Sequence, residues 1–455
     1  MLAAMRAAPG TPLGDFISLR VCSLFYFFPL LCLLAARFSG VRSLAVAGGA
    51  PTTLSASDRA QNKLDTKLRS GTAGRASVNG LTVTVFGNSG FLGRYVVNRF
   101  GRVGSQVIVP FRGDEYDTRH LKVMGDAGRI VSAFFSTRDP ERISRLVEQS
   151  DVVINMIGRD YETANFSYEE VHIDAAETIA KASKAAGVTR YLHVSALGAA
   201  TDSPSRFLAT KALGEQATMA AFPEATIIRP ARMYGHEDRL LHRIACTHFI
   251  FGSLGAFLVD LAVVGVFSYH FSSFLCHFFL LFPILPTFLS NPPLDLHSSV
   301  LIPGDMTINE GRQVLLPVYV GDVALGIFNA ATNVSTAGQA LEFVGPRAYT
   351  YSDLLQLYST TTRQVLTEID YPADVLKAIT KAMKFIPPSP PLCPDDIVRM
   401  EIDEVVTPGA AGLEAVGVHP TQLSDVAIAF LRHYRSSIYY DQPAETSGKA
   451  AAEHE

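Results

Sequence analysis

An alternating run, Leu81-Thr82-Val83-Thr84-Val85-Phe86, leads directly into Gly87-Asn88-Ser89-Gly90-Phe91-Leu92-Gly93, after which the apolar spacing becomes helical. Each glycine answers a separate physical need. The first permits a tight turn at the strand end, the second lets backbone N–H groups approach an anion at the helix N-terminus, and the third lets the helix pack close to the sheet. The strand–turn–helix context is what gives the spacing its weight, because an isolated glycine pattern is weak. Gly87, Asn88, Ser89, Gly90, Phe91, Leu92 and Gly93 are therefore candidates to hold the pyrophosphate of a dinucleotide.

Between Leu81 and Arg229, short β-branched runs alternate with longer helical segments. This predicts an α/β protein, a Rossmann-type doubly wound parallel sheet with helices on both faces. Strands are expected at 81–86, 106–110, 130–135, 151–156, 190–195 and 225–229, and helices at 91–101, 139–149, 168–186 and 205–221. Pro317 to Val320 read as the next strand of the same sheet, followed by a smaller, mostly helical C-terminal region. After the second strand, Val107-Ile108-Val109-Pro110-Phe111 leads to Arg112, with no acid before Asp114. A carboxylate there would accept from a ribose 2′-hydroxyl, whereas a guanidinium grips a 2′-phosphate, so NADPH is expected over NADH. Asn155, Ile157 and Gly158, after the fourth strand, are expected to line the ribose side of the cofactor, and His193 to be a core histidine.

The chain has 455 residues, nearly half of them apolar, which is enough for a large core and for more than one domain. A net charge of −4 and a pI near 6.3 leave no basic field of the kind that draws a protein to nucleic acid. Five scattered cysteines, none spaced as C-x-x-C, argue against a disulfide framework or zinc site and fit a reducing compartment. Mean hydropathy is positive, at +0.20, and the excess comes from residues 21–36 and 249–294.

Residues 1–70 are rich in Ala, Ser, Leu and Arg and poor in acids, as in a mitochondrial transit peptide and linker. The apolar run Val21 to Ala36 keeps a secretory signal and a short membrane anchor open as alternatives. The Rossmann domain is expected at 71–248, its completion and the small C-terminal domain at 303–436, and a disordered tail at 437–455. Between them, 249–302 is an apolar insert with two runs, Phe249 to Phe267 and Phe271 to Leu289. Three readings stay open for it: a translated intron or gene-model artefact, a membrane-associating hairpin, and a buried hairpin.

The spacing resembles the short-chain dehydrogenase/reductase superfamily, whose chemistry uses a Ser after the fifth strand and a Tyr followed four residues later by a Lys. Here the Ser is Ser195, the Lys is Lys211 and the Tyr position holds Phe207. Phenylalanine has no proton to give, and losing a positioned general acid forfeits roughly 10² to 10⁴ in rate. The resemblance implies that Ser195 and Lys211 persist as catalytic remnants, with Lys211 still able to hydrogen-bond the nicotinamide ribose and Pro230 lining the cofactor.

Further segments narrow the resemblance: Gly74 to Gly80, Thr84 to Asn98, Gly104 to Ile108, Val152 to Asp160, Pro317 to Val323, and Gly412 to Gly417 with the final helix ending at Arg435. Together they resemble the atypical members of the superfamily, and within them the NADPH-binding accessory subunits of mitochondrial respiratory complex I, over residues 71–248 and 303–436. Ser136 stands where that family has an Asp near the adenine, and the insert falls between two segments that join directly in the family.

The resemblance implies a non-catalytic, NADPH-holding subunit or assembly factor, partnered by membrane-bound respiratory subunits on the matrix side of the inner mitochondrial membrane. The alternative is an enzyme or chaperone-like factor in ubiquinone biosynthesis. In it Ser195, Lys211 and another proton donor such as Tyr234 would act on a quinone or lipid in a cleft near His236, Glu237 and Asp238. A cytosolic sugar-nucleotide epimerase or reductase is disfavoured by Phe207 and the N-terminal extension.

Overall fold

A computed structural model describes residues 79–242, 244–245, 306–363, 369–370, 372–383 and 393–435. The expected transit peptide, insert and tail lie outside the described residues.

Seven strands form one sheet: β1 (Thr82–Phe86), β2 (Gln106–Phe111), β3 (Ile130–Phe134), β4 (Val152–Asn155), β5 (Arg190–Val194), β6 (Thr226–Pro230) and β7 (Ala340–Phe343). Their order is β7-β6-β5-β4-β1-β2-β3, and every pairing is parallel. The strand order reverses between β1 and β4, where open α/β sheets leave a crevice at the strands' carboxyl ends.

Helices α1 (Phe91–Arg102), α2 (Pro140–Val147), α3 (Ala175–Ala185), α4 (Arg206–Ala221) and α5 (Val320–Thr332) flank it. Period-two alternation divides the side chains between the faces. Val83, Val85, Val152, Ile154 and Leu192 pack with Val96, Val97 and Phe100 of α1 and Val323, Ile327 and Ala331 of α5. Phe86, Val153 and Tyr191 pack on the other face with Ile143 and Val147 of α2 and Ile179 and Ala180 of α3.

Two expectations fail in instructive ways. Val318–Tyr319 does not continue the sheet; it pairs with Met233–Tyr234 in a separate two-stranded ladder, and Val320 already begins α5. The seventh strand is β7, whose Glu342 is 3 % exposed and meets Arg229 of β6 at 3.4 Å. A buried charge interrupts the apolar pattern that marks an interior strand, so Ala340–Phe343 does not read as one.

The helix expected over 168–186 opens with a π-helical turn, Glu170–Asp174, before α3. Gly214, in the middle of α4, accepts that turn: a Cβ there would lie 2.2 Å from the His172 carbonyl oxygen. The close crossing explains a glycine that costs a helix interior about 1 kcal/mol against alanine.

Beyond the sheet, the C-terminal region is mostly helical, with α6 (Tyr351–Thr362), α7 (Ala373–Met383), α8 (Pro394–Met400) and α9 (Leu423–Leu431). Short ladders join Tyr349–Thr350 to Val314–Leu315 and Ile369–Asp370 to Met306–Thr307.

Candidate nucleotide site

The turn after β1 is built almost entirely by backbone approach. Gly87 has φ +80°, and a Cβ there would lie 2.7 Å from the Met156 carbonyl, beyond β4. At Gly93 a Cβ would meet the Gly87 oxygen at 2.5 Å and Asn88 Cα at 2.6 Å. Gly90 is the N-cap of α1 and no side chain caps that helix, so its first amides are free to face an anion. The seven turn residues divide by role. Asn88, 1 % exposed, turns inward and donates to the carbonyls of Val85 at 3.0 Å and Pro110 at 2.6 Å. Leu92 lies in the core and Phe91 packs edge-on against Tyr95, while Ser89 and Gly90 are exposed. Asn88 and Leu92 therefore hold the turn from behind.

Arg112 follows β2, with its guanidinium 5.0 Å above the ring of Phe166. Arg138 lies over the same ring at 4.6 Å and is anchored to the Asn165 carbonyl and to Glu170. Of the acids that follow Arg112, Asp114 accepts from the Tyr116 amide and Glu115 pairs with Lys122. Beside Phe166 an open depression of about 300 Å³ has Pro140 and Ala175 as well as Arg138, Glu170 and Asp174 in its lining.

At the other end, Asn155 is buried; its amide bonds His193 Nδ1 at 3.3 Å and its oxygen accepts from the Ile157 amide at 3.1 Å. It shapes the loop after β4 from inside. His193 is the core histidine expected, 1 % exposed, with burial pushing its pKa down to about 3. Lys211 Nζ donates to the carbonyls of Val194 at 3.2 Å and Ile157 at 3.4 Å. Gly158 makes room for it, because a Cβ at 158 would lie 2.9 Å from that ammonium. Ser195 is 6 % exposed, and its hydroxyl finds no partner among the described residues. Pro230 closes β6, its carbonyl accepting from the Leu197 amide at 2.9 Å. An anion-facing helix start, an open depression walled by Phe166, a lysine with a donor to spare and a serine unpartnered among the described residues fit a dinucleotide laid across β1 and β4.

Phe207 is boxed in. Its ring meets His172 edge-to-face at 5.3 Å and Tyr168 at 6.4 Å, and Arg399 of α8 lies over it at 4.4 Å. Asp395, also on α8, accepts from the Ser205 hydroxyl and the Arg206 amide, each at 2.8 Å, and so caps α4 from the C-terminal region. Arg399 pairs in turn with Asp396 and Asp160. Tyr234 is not available as the substitute proton donor: it is fully buried and donates its hydroxyl to the Thr421 carbonyl at 2.9 Å, packed beside Tyr319 and Phe430. Asp238 likewise turns inward, accepting from the amides of Gly235, Leu241 and His242.

Comparison with known proteins settles the family. The NmrA-like family matches residues 80–222. The rat mitochondrial NADH dehydrogenase (ubiquinone) 1 alpha subcomplex subunit 9 is 36% identical over 422 residues, 90% of this chain and 98% of the relative. The chain belongs to the alpha subcomplex subunit 9 family. Its Neurospora crassa relative, named NADH-ubiquinone oxidoreductase 40 kDa subunit, is 35% identical, with 84% of this chain and 87% of that protein aligned. Among solved structures, Citrobacter sp. triphenylmethane reductase superposes with a TM-score of 0.52 at 14% identity, covering 77% of this chain and 100% of that one. The fold is thus that of the NAD(P)-binding reductases.

Several neighbours of the site in this family member had no signal in the sequence. His172 sits in the π turn, its Nδ1 2.9 Å from Thr210 Oγ1 and its Nε2 accepting from the Arg159 amide at 3.3 Å. Burial, reinforced by Lys211, pushes its pKa down to about 2, so the ring is neutral. Phe166, Arg138, Asp395 and Arg399 reach the site from segments with no motif of their own.

Burial also pushes the Lys211 ammonium down to about 8 from its ordinary 10.5, against the pull of Asp160 and Glu215. Between those values the unfolded chain binds a proton that the folded one does not, so stability rises with pH across that window. Thermal unfolding of the nucleotide-free protein from pH 7.5 to 10.5 is expected to show this rise relative to a Lys211→Met variant. Parallel curves for the two proteins would exclude it.

Proposed function

We propose that this chain is a non-catalytic, NADPH-holding accessory subunit of mitochondrial respiratory complex I, seated on the matrix side of the inner membrane. Membership of a family whose members are named as mitochondrial NADH dehydrogenase subunits supports the assembly. The observation that carries the non-catalytic part is Phe207: the position that gives the proton in reductases bears no hydroxyl, and its ring is enclosed by His172, Tyr168 and Arg399.

NADPH supplies a hydride donor when bound. The amides of the Gly87–Gly93 turn would hold its pyrophosphate, Arg112 its 2′-phosphate, and Lys211 and Ser195 the nicotinamide ribose. With hydride transfer unused, the nucleotide acts as a structural part, because a ligand bound only to the native state stabilises it by about 2.7 kcal/mol at a hundred times its Kd.

Blue-native electrophoresis with mass spectrometry is expected to find the chain in a very large membrane complex. Purified protein is expected to retain NADPH through gel filtration and to oxidise none of it with carbonyls or quinones. Arg112→Glu is expected to abolish retention by setting like charges against each other. Migration as a small oligomer with steady NADPH oxidation would overturn this reading in favour of an enzyme of ubiquinone metabolism.

A further inference from the structure

Two guanidinium groups flank the glycine turn without counter-charges. Arg112 follows β2 and Arg159 lies four residues beyond β4, and these two strands border β1 on either side. Among the described residues, neither forms an ion pair with a carboxylate. Each is seated on a ring: Arg112 on Phe166 at 5.0 Å and Arg159 on Tyr161 at 5.3 Å. Such seats orient a guanidinium plane while leaving its edge N–H groups free for an anion.

Five acids of the surrounding loops are engaged elsewhere. Asp114 caps the turn at Tyr116, Glu115 pairs with Lys122, Asp160 with Arg239 and Arg399, Glu162 with Arg206, and Glu170 with Arg138. Arg138 shares the Phe166 ring but already has Glu170 and the Asn165 carbonyl, so it supports the platform. The Phe166 platform and the Arg159 backbone are fixed. Phe166 closes a tight turn in which the Thr163 amide donates to its carbonyl at 3.0 Å, and the Arg159 amide is held by His172 Nε2. The two cations also feel each other: burial lowers the pKa of Arg112, and repulsion from Arg159 lowers it further.

Two guanidinium groups without ion-pair partners among the described residues, seated on Phe166 and Tyr161 of one loop at the carboxyl ends of strands that border β1, form a site for a multiply charged anion. We infer that Arg159 is the second cation of the nucleotide site and that it closes with Arg112 on one phosphate group, the ribose 2′-phosphate that distinguishes NADPH from NADH. This rests on the assignment of NADPH to the glycine turn.

The test is titration of the full-length protein with NADPH and with NADH, and with adenosine 2′,5′-bisphosphate against AMP as probes of the adenosine end alone. Arg159→Met is expected to weaken NADPH and the bisphosphate about tenfold, the effect of one charge-assisted contact, while NADH and AMP are unchanged. Arg159→Lys keeps the charge without the fork and is expected to fall between. A double Arg112→Met, Arg159→Met protein is expected to bind NADPH no better than NADH. Equal weakening of both dinucleotides by Arg159→Met would assign Arg159 to the pyrophosphate, and no weakening would remove it from the site; either overturns the inference while leaving the cofactor assignment standing. Failure of the unmutated, folded protein to bind either dinucleotide would instead fell the cofactor assignment, and this inference with it.

Discussion

Gly93→Ala is expected to lose NADPH affinity by a factor of 100 or more and to unfold about 2 kcal/mol more easily than the native protein. The added methyl would lie 2.5 Å from the Gly87 oxygen and 2.6 Å from Asn88 Cα, both backbone atoms that cannot swing aside as a side-chain tip can. Either α1 moves away from the sheet or the turn flattens, and both displace the amides that must converge on a pyrophosphate. Asn88 resists flattening, because its amide group ties the turn to the carbonyls of Val85 and Pro110. Gly128→Ala makes the control: φ is +79° there and nothing lies within 4 Å of the added methyl, so only backbone strain of about 1–2 kcal/mol is expected, with binding unchanged. NADPH titration and urea unfolding of the two variants separate the effects. A Gly93→Ala protein that bound NADPH as tightly as the native one would mean that the turn does not cradle the nucleotide.

Arg399→Met is expected to cost about 3 kcal/mol. The arginine side chain is 19 % exposed and meets Asp396, Asp160 and Asp395 as well as the face of Phe207. Methionine fills much of the volume but takes the cation from Asp396 and Asp395 and leaves Asp160 with Arg239 alone. The figure sits at the low end of the range for a buried pair because the Asp160 side chain is 40 % exposed and water screens it. Burial disfavours the Asp160 carboxylate, yet Arg399 and Arg239 outweigh it and hold its pKa below the ordinary value. A depressed carboxyl contributes stability at pH above its unfolded value and loses it as pH falls through the folded one, so the gap between native and variant is expected to narrow in acid. Urea unfolding at pH 7 and at about pH 2.5, below the ordinary carboxyl value of 3.8, checks both points. A loss under 1 kcal/mol at pH 7 would reduce the cluster to ordinary surface pairing.

Much of the Rossmann half was legible in the sequence because its signals are local. Six strands and four helices between 81 and 230 follow from hydrophobic period and glycine placement, which record how neighbouring residues face the same layer. The roles of Gly87 and Gly93 were equally legible, since backbone conformation and close approach leave glycine as the residue that fits. Phe207 was readable because a missing hydroxyl is a property of the residue itself.

Tertiary structure alone decided what depends on partners far along the chain. β7 was hidden by Glu342, whose cost is offset by Arg229 across the sheet and by Thr407, neither of them near it in sequence. Asn88 looks like a phosphate ligand in the motif, and only the nearness of Pro110 turns it inward. Tyr234 looks like a spare acid until its hydroxyl is seen donating a hydrogen bond to the Thr421 carbonyl. Asp395 reaches Ser205 across 190 positions, and nothing local to Cys393–Met400 announces that it caps the helix carrying Phe207 and Lys211. Sequence determines which residues can turn, stack or ionise; which of them meet is fixed by long-range packing, because the energies that orient a buried polar side chain come from the group it faces.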